Sequence, residues 1–320
     1  MAQTIQKVLV TGGAGFIGSH LVDSLMNAGT QVCVLDNLSA GNIQNLKPWL
    51  NNPHFCFLNK DLINPLDSIN DTSFDAIFHL AANPEVRVSS TNPDVHFKQN
   101  IITTFNLLEY VRKSHSNPLF VFASTSAVYG EPAEIPTPEN YAPLKPISVY
   151  AATKLACEAL ITAYAYNYGF KAILYRLANI IGPRSSHGVI YDFVQKLQKN
   201  PNELEILGDG TQTKSYLHVN DCVTALLNGI EKTNNQVEVY NVGSEDKVNV
   251  KTIAETVINE MGLKNVNLEL TGGVDGGRGW KGDVKIMLLN INKIKAIGWS
   301  PVLNSQQAVT QTAKALLKGR

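Results

Sequence analysis

From residue 7 to about residue 171, short apolar runs alternate with stretches whose apolar positions recur at helical spacing. The runs are Val8 to Val10, Val32 to Asp36, Phe55 to Leu58, Ala76 to Ala82 and Leu119 to Ser124. Between the first two, Phe16, Ile17, Leu21, Val22 and Leu25 mark one face of a helix. Continuous β-branched and aromatic runs of strand length, separated by helices, describe parallel strands covered on both faces. The pattern predicts βαβ units and so an α/β fold built on a doubly wound parallel sheet.

Beyond about Arg176 the rhythm loosens. Gly182, Pro183, Gly188, Pro201, Gly208 and Gly210 interrupt it, with helical patterns at Ile190 to Leu197 and Val219 to Ile230. A smaller, mixed α/β lobe is expected, dividing the chain into residues 1–176 and 177–320, with some later segments returning to the first domain. Thr271 to Asp283 holds six glycines and is predicted to be a loop. Ser305 to Arg320 reads as an amphipathic surface helix.

Composition narrows the classes of partner. The 320 residues are 44% hydrophobic and 17% charged, ordinary for a globular chain of about two domains. With 27 Lys and Arg against 27 Asp and Glu, no global field is available for nucleic acid or an anionic membrane, so any anion site is local. Cys33, Cys56, Cys157 and Cys222 show no CxxC spacing, which argues against zinc or a disulfide framework and for buried thiols in a reducing compartment. No metal site is expected. No apolar run approaches the roughly 20 residues of a membrane span or resembles a secretory signal, so a soluble cytoplasmic protein is expected.

The first strand runs into Thr11-Gly12-Gly13-Ala14-Gly15-Phe16-Ile17-Gly18, which contains both GxxGxxG and GxGxxG and leads straight into the helical stripe. Glycines let the backbone turn tightly and approach a pyrophosphate, which then faces the free N–H groups and positive end of the helix. Asp36 closes the next strand 18 residues beyond Gly18. Such an acid accepts hydrogen bonds from the adenosine ribose and repels a 2′-phosphate, so NAD is expected over NADP. The first basic residue after it is Lys47. No Lys-Ser or Lys-Thr follows the last glycine, which disfavours a P-loop.

Tyr150 and Lys154 stand four positions apart in SVYAATKLACEALI, a helix-forming stretch without Pro or Gly, and so share one face about 6 Å apart along the axis. Tyr141 and Lys145 repeat the spacing, but Pro143 and Pro146 interrupt that stretch. A tyrosine base needs its pKa lowered from about 10 by about three units, roughly 4 kcal/mol. One cation near 4 Å at an effective dielectric near 20 gives about that much. Lys154, helped by an oxidised nicotinamide ring, is therefore expected to make Tyr150 the base. Ser124, Thr125 and Ser126 end the fifth run, where open α/β sheets place ligands.

These features, with Asp61-Leu62, HLAA (His79 to Ala82), VYG after Ser126, YRLANIIGPR (Tyr175 to Arg184) and KSYLHVND (Lys214 to Asp221), resemble the extended short-chain dehydrogenase/reductase family in its nucleotide-sugar branch. Within it the chain is most similar to compact, archaeal-like UDP-galactose 4-epimerases, including in HGVIYDFV and GRGWKGDV. The resemblance implies a Rossmann domain with tightly held NAD. Gly12, Gly15, Phe16, Ile17 and Gly18 would hold the pyrophosphate. Asp36, Asn37, Ser39, Gly41 and Asn42 would hold the adenosine ribose side, and Asp61 and Leu62 the adenine. Leu80, Ala81, Ala82, Asn100, Ser124, Tyr150 and Lys154 would line the nicotinamide half.

For substrate, the resemblance implies Thr125 as the hydroxyl sharing the proton of a sugar 4-OH, with Ser126 beside it. Asn179, Lys214 and Arg278 would grip the diphosphate, Val189 and Tyr216 would flank uridine, and Met287 falls where related epimerases limit room for an N-acetyl group, but a methionine is pliable and leaves N-acetylhexosamines open as substrates. Lys214 stands where an arginine is common, giving up bidentate phosphate recognition. Arg87 resembles an arginine of UDP-glucuronate 4-epimerases and could face a carboxylate or the diphosphate. Related 4,6-dehydratases carry Asp-Glu directly after the catalytic Thr, and UDP-glucuronate decarboxylases carry Glu two positions after it. Ser126 and Ala127 stand there instead. Reversible oxidation at C4 of a UDP-hexose is the reaction expected. UDP-glucuronate 4-epimerisation and one-way 4-ketosugar reduction or oxidation are the alternatives, and a catalytically silent NAD sensor is a further one. A homodimer through helices near residues 95–113 and 148–166 is also implied.

Overall fold

The computed structural model describes residues 5–318, apart from 67, 68, 70–72, 116, 231, 233 and 234. The first apolar runs become β1 (Lys7–Thr11), β2 (Gln31–Asp36), β3 (Phe55–Asn59), β4 (Ala76–His79) and β5 (Leu119–Thr125). Between them lie α1 (Phe16–Asn27), α2 (Pro93–His96), a π-type turn (Phe97–Ile102) and α3 (Thr103–Ser114). There follow α4 (Val149–Tyr168), β6 (Ala172–Leu177), β7 (Asn179–Ile181), α5 (Val189–Lys199), β8 (Glu203–Ile206), β9 (Thr213–Lys214), β10 (Tyr216–His218) and α6 (Val219–Asn228). The chain ends in β11 (Val237–Val242), β12 (Val248–Asn249), α7 (Val250–Glu260), β13 (Asn267–Leu270), β14 (Ile286–Met287), α8 (Asn292–Ala296) and α9 (Ser305–Lys318).

Seven strands form one sheet in the order β11-β6-β5-β4-β1-β2-β3, with every pairing parallel. The alternation along each strand feeds two cores. Val8, Val10, Val32, Val34 and Phe78 pack with α1 and α6 on one face. Leu9, Cys33, Leu35, Ile77, Phe120 and Phe122 pack with α3 and α4 on the other. This is the doubly covered sheet that unbroken apolar runs require. The chain leaves β1 in one direction and returns at β4 on its other side, so the order reverses between these two strands. That is where an open α/β sheet opens a crevice at its carboxyl ends.

The later part of the chain forms small sheets: β10 with β7, β12 with β9 and β14, and β13 with β8. They surround a third core of α5, α7 and α9. The helix at 305–318 is amphipathic, as expected: Gln307, Gln311 and Lys314 are exposed, while Ala308, Val309 and Ala313 are buried in the third core, where α9 packs against α5 and α7. Gly319 and Arg320 lie outside the described residues. One expectation about the cysteines is corrected: Cys56 is exposed while the other three thiols are buried. It sits on β3, the edge strand of the sheet.

Candidate active site

A cavity of about 520 Å³ opens at the carboxyl ends of β1, β4 and β5 and is closed from the other side by residues of the smaller lobe. Its first wall is the turn after β1. Gly12 has φ of +70°, and a Cβ there would lie 2.7 Å from the backbone nitrogen of Ala81. A Cβ on Gly18 would collide with the carbonyl oxygen of Gly12. Side chains at these points would force the turn and the start of β4's following loop apart. Gly15 caps α1 without any side-chain hydrogen bond, and the first turn holds no acid. The N–H groups opening α1 are therefore left for an anionic ligand, with the helix dipole behind them.

Asp36 lies at the end of β2 and is 7% exposed. Its two oxygens accept from the backbone N–H of Ala14 (3.0 Å) and of Leu38 (2.8 Å), which ties the glycine turn to the loop after β2. Asn37 donates to Asp61 at 3.0 Å and accepts from the Ser39 hydroxyl at 2.7 Å. These groups line the cavity with Gly41, Leu62, Phe16 and Ile17. A glycine cradle without Cβ atoms, an uncapped helix start and a buried acid at the end of the second strand fit a dinucleotide. Asn42 is not part of this wall. It caps a short turn through the N–H of Gln44 and ties back to Ala14, so it shapes the loop.

Tyr150 and Lys154 both reach the cavity from α4, with Leu80, Ala81, Ala82, Ser124, Thr125 and Ser126 across from them. Ser148 caps α4 by accepting from the N–H of Ala151, so the helix starts one residue before Tyr150. The electrostatics differ from the sequence expectation. Burial pushes the Tyr150 phenol up to about 12, against a hydrogen bond with Thr125 that pulls it down. Lys154, 4% exposed, is lowered to about 8 by burial, while Cys157 and Glu158 hold it up. Its ammonium donates to the carbonyl of Ala123 at 2.7 Å and lies 4.6 Å from the centre of the Phe122 ring. The lysine is thus anchored to β5, and burial is the largest influence on the phenol. The chain alone does not supply the phenolate. The Tyr141 decoy stays in a loop, where its hydroxyl accepts from the N–H of Ala133.

Asn100 does not line the cavity. It is buried in the π-type turn, where its amide accepts from the N–H of Asn83 and donates to Thr153, each at 2.9 Å. Thr153 in turn donates to the carbonyl of Tyr150, so Asn100 holds the catalytic helix from behind.

The opposing lobe brings Asn179, Val189, Lys214, Tyr216 and Met287 to the cavity. Lys214 pairs with Asp283 at 2.5 Å. Its ammonium lies 5.5 Å from the Trp280 ring, and the Arg87 guanidinium lies 5.9 Å from it. Arg87 lines the cavity and is held by Glu85 through two contacts of 3.0 and 3.1 Å. Arg278 stands outside the lining. It pairs with Glu131 and donates to the carbonyl of Asp275, folding back on its own glycine-rich loop. A sequence pattern marks that arginine but not its rotamer.

Several residues of the site escaped the sequence reading. His79 is wholly buried between the Thr11 hydroxyl (2.8 Å) and the Thr104 hydroxyl (2.9 Å), and Thr11 also accepts from the N–H of Ala81. Burial lowers it to about 3, so it is a neutral strut under the glycine turn. The HLAA motif contains it without giving it a role, and a polar residue inside an otherwise apolar strand was the signal of that role. Glu158 and Arg176, 2.8 Å apart and buried, brace Ser124 at the end of β5. His96, whose spacing to other polar residues carries no pattern, lies against Tyr150. Among the described residues no group of three or more His, Cys, Asp or Glu could hold a metal ion, and no helix is long and apolar enough to cross a membrane.

Comparison with known proteins agrees with this geometry. Residues 8–243 match the model of the family described as NAD dependent epimerase/dehydratase. The chain is 34% identical over 306 residues to a putative UDP-glucose 4-epimerase of Methanocaldococcus jannaschii, covering 94% of this chain and 95% of that one. It is 32% identical to UDP-glucuronic acid decarboxylase 6 of Arabidopsis thaliana, over 96% and 88% of the two chains. A crystal structure of a UDP-galactose 4-epimerase superimposes with a TM-score of 0.85 at 43% identity, over 98% of this chain and 99% of that one. The glycine cradle, the buried acid after it, the Tyr-Lys helix and a family match across most of the chain lead to one conclusion: this protein belongs to the NAD-dependent epimerase/dehydratase family of extended short-chain dehydrogenases/reductases.

Proposed function

We propose that the protein interconverts the C4 epimers of a UDP-hexose, with UDP-glucose and UDP-galactose as the principal pair. The observation that carries this is local: Tyr150 hydrogen-bonds with Thr125 beside a buried Lys154, while the next two positions, Ser126 and Ala127, offer no carboxylate. Eliminating a 6-hydroxyl or handling a uronate through decarboxylation would call for an acid or base there. The relatives include both reactions, and the side chains favour epimerisation.

NAD, held by Gly12, Gly15, Gly18 and Asp36, supplies a hydride store for C4 and the positive charge of its oxidised ring. Tyr150 accepts the proton of the sugar 4-OH, with Thr125 sharing it, and returns it to the 4-keto oxygen after the sugar has turned over. The acceptor is the phenolate form of Tyr150, and Lys154 together with an oxidised nicotinamide ring, when bound, would lower the cost of that negative form. Lys214 and Asn179 grip the diphosphate, Val189 and Tyr216 flank the uracil, and Met287 and Arg87 face the hexose. In this division residues 1–176 bind mainly cofactor and 177–320 mainly substrate. A firm nucleotide grip with a loosely held sugar is what a turning intermediate requires.

The protein is further proposed to act as a cytoplasmic homodimer. Its four cysteines, none of them in a disulfide, suit a reducing compartment, and α3, α4 and the turn before α3 expose Phe97, Phe105, Tyr166 and Tyr168. The reaction is tested by incubating the protein separately with UDP-glucose, UDP-N-acetylglucosamine and UDP-glucuronate. UDP-glucose is expected to equilibrate with UDP-galactose. A decarboxylated or 6-deoxy product, or no 4-epimer from any of the three, contradicts the reading.

A further inference from the structure

His96 closes α2, and its ring lies 5.7 Å from that of Tyr150 with 61° between the planes, an edge-on contact. The side chain is 0% exposed. No hydrogen bond of normal geometry is made by either ring nitrogen, but the backbone carbonyls of Asn83 and Glu85 face the ring closely enough to raise it, as does the Glu85 carboxylate from the loop after β4. On its own element Asp94 is taken up by Lys98 at 2.7 Å on the exposed side, and from α4 the group in contact is Tyr150. Burial outweighs these influences and keeps the imidazole neutral at neutral pH.

Two buried nitrogens without well-formed hydrogen bonds are a cost that a phenylalanine at the same place would not carry. What a neutral imidazole offers in exchange is a strong dipole beside a ring that takes on negative charge when the phenol gives up its proton. A fixed dipole in a dry site acts without reorganising, which is the form in which such groups aid catalysis. The same stretch of chain also holds Tyr150 by its backbone, because the N–H of Tyr150 donates to the Ser89 hydroxyl at 3.1 Å. The loop from Asn83 to His96 thus grips Tyr150 at both main chain and ring.

We propose that His96 is a positioning residue for the proton transfer: its buried imidazole sets the Tyr150 ring and stabilises the negative charge that ring acquires. This rests on the reading of Tyr150 as the base. The test compares wild type with His96→Phe and His96→Leu, which remove the polar atoms, and with His96→Gln, which keeps a neutral polar group. Two readouts are taken on the NAD-loaded protein: the pH profile of kcat and KM with UDP-glucose, and the near-ultraviolet phenolate titration of each protein against the same protein carrying Tyr150→Phe.

The apolar variants are expected to keep KM within about twofold, to lose about tenfold in kcat at neutral pH, and to raise the Tyr150 titration by about one pH unit, so that their deficit narrows as pH rises. His96→Gln is expected to recover part of the loss. A space-filling role gives the reverse order, with His96→Phe like wild type and His96→Gln impaired, and that result overturns the proposal. So does a loss equal at every pH, or failure of both apolar variants to fold while His96→Gln keeps the wild-type profile. The phenolate titration needs no turnover, so a failure of the epimerase reading and a failure of this proposal give different results.

Discussion

The Lys154 ammonium donates to the carbonyl oxygen of Ala123 at 2.7 Å, which ties the catalytic helix to the strand that carries Ser124 and Thr125. The lysine therefore fixes the register between the phenol and its hydroxyl partner as well as supplying charge. Lys154→Met is expected to lower kcat by about 10²–10³, in line with removing a preorganised donor, and to loosen NAD retention. Burial lowers Lys154 to about 8. The ammonium is present below that pH and lost above it, so wild-type kcat is expected to fall above about pH 8. Lys154→Arg, which cannot lose its charge in that range, is expected to abolish the alkaline fall while running more slowly. A fall unchanged in Lys154→Arg assigns it to another group.

Glu158 and Arg176 form a buried pair at 2.8 Å, with side chains 5% and 7% exposed. Arg176 also donates to the Tyr129 hydroxyl at 3.0 Å. Leaving one member alone in the core strands a charge, so Glu158→Gln is expected to cost about 3–5 kcal/mol in urea unfolding. Glu158→Leu with Arg176→Met, which removes both charges, is expected to cost less than the single change. A single-variant cost below about 1 kcal/mol contradicts the burial argument.

Such pairs show where the sequence stopped being legible. The five apolar runs and the glycine turn announce themselves because their physics is local: alternation into two cores, and a backbone that tolerates no Cβ at Gly12 or Gly18. Asp36 and the Tyr150-Lys154 spacing are legible for the same reason, one at a strand end and the other on one helical face. β6 and β11 join the same sheet, but β6 stands where the rhythm begins to loosen and β11 well beyond it, and pairing across 65 residues from Ala172 to Val237 leaves no local mark. Asn100, His96 and Arg278 depend on which way a side chain turns. The expectation that Lys154 and an oxidised nicotinamide ring lower Tyr150 counted charge, and burial of the phenol acts in the opposite direction.

His79 offers a stability test under acid. Its folded value of about 3 lies below the ordinary 6.5, so between these limits the unfolded chain binds one more proton. Stability is then lost as pH falls below about 6.5, at about 1.4 kcal/mol per unit. From pH 6.5 to 5 the loss assigned to this residue is about 2 kcal/mol. Urea unfolding of wild type and His79→Asn at both pH values reads the difference. His79→Asn is expected to be less stable at pH 7 but to lose less on acidification. Parallel losses in the two proteins contradict the account.

Asp36 holds two backbone N–H groups and faces the cavity. Asp36→Asn keeps acceptor capacity and removes the charge that repels a 2′-phosphate. It is expected to narrow the preference for NAD over NADP by about tenfold, the effect of roughly 1.4 kcal/mol, as read by competitive loading of the two nucleotides. An unchanged preference moves discrimination to another residue.

The central claim is that one hydrogen leaves C4 of the sugar, is kept inside the protein, and returns to the opposite face. UDP-glucose carrying deuterium at C4 measures this directly when its conversion is followed by NMR in ordinary water. The account predicts UDP-galactose with the deuterium still at C4. Epimer that has exchanged its label for solvent hydrogen, or an accumulating 4-keto sugar with no epimer, would contradict it.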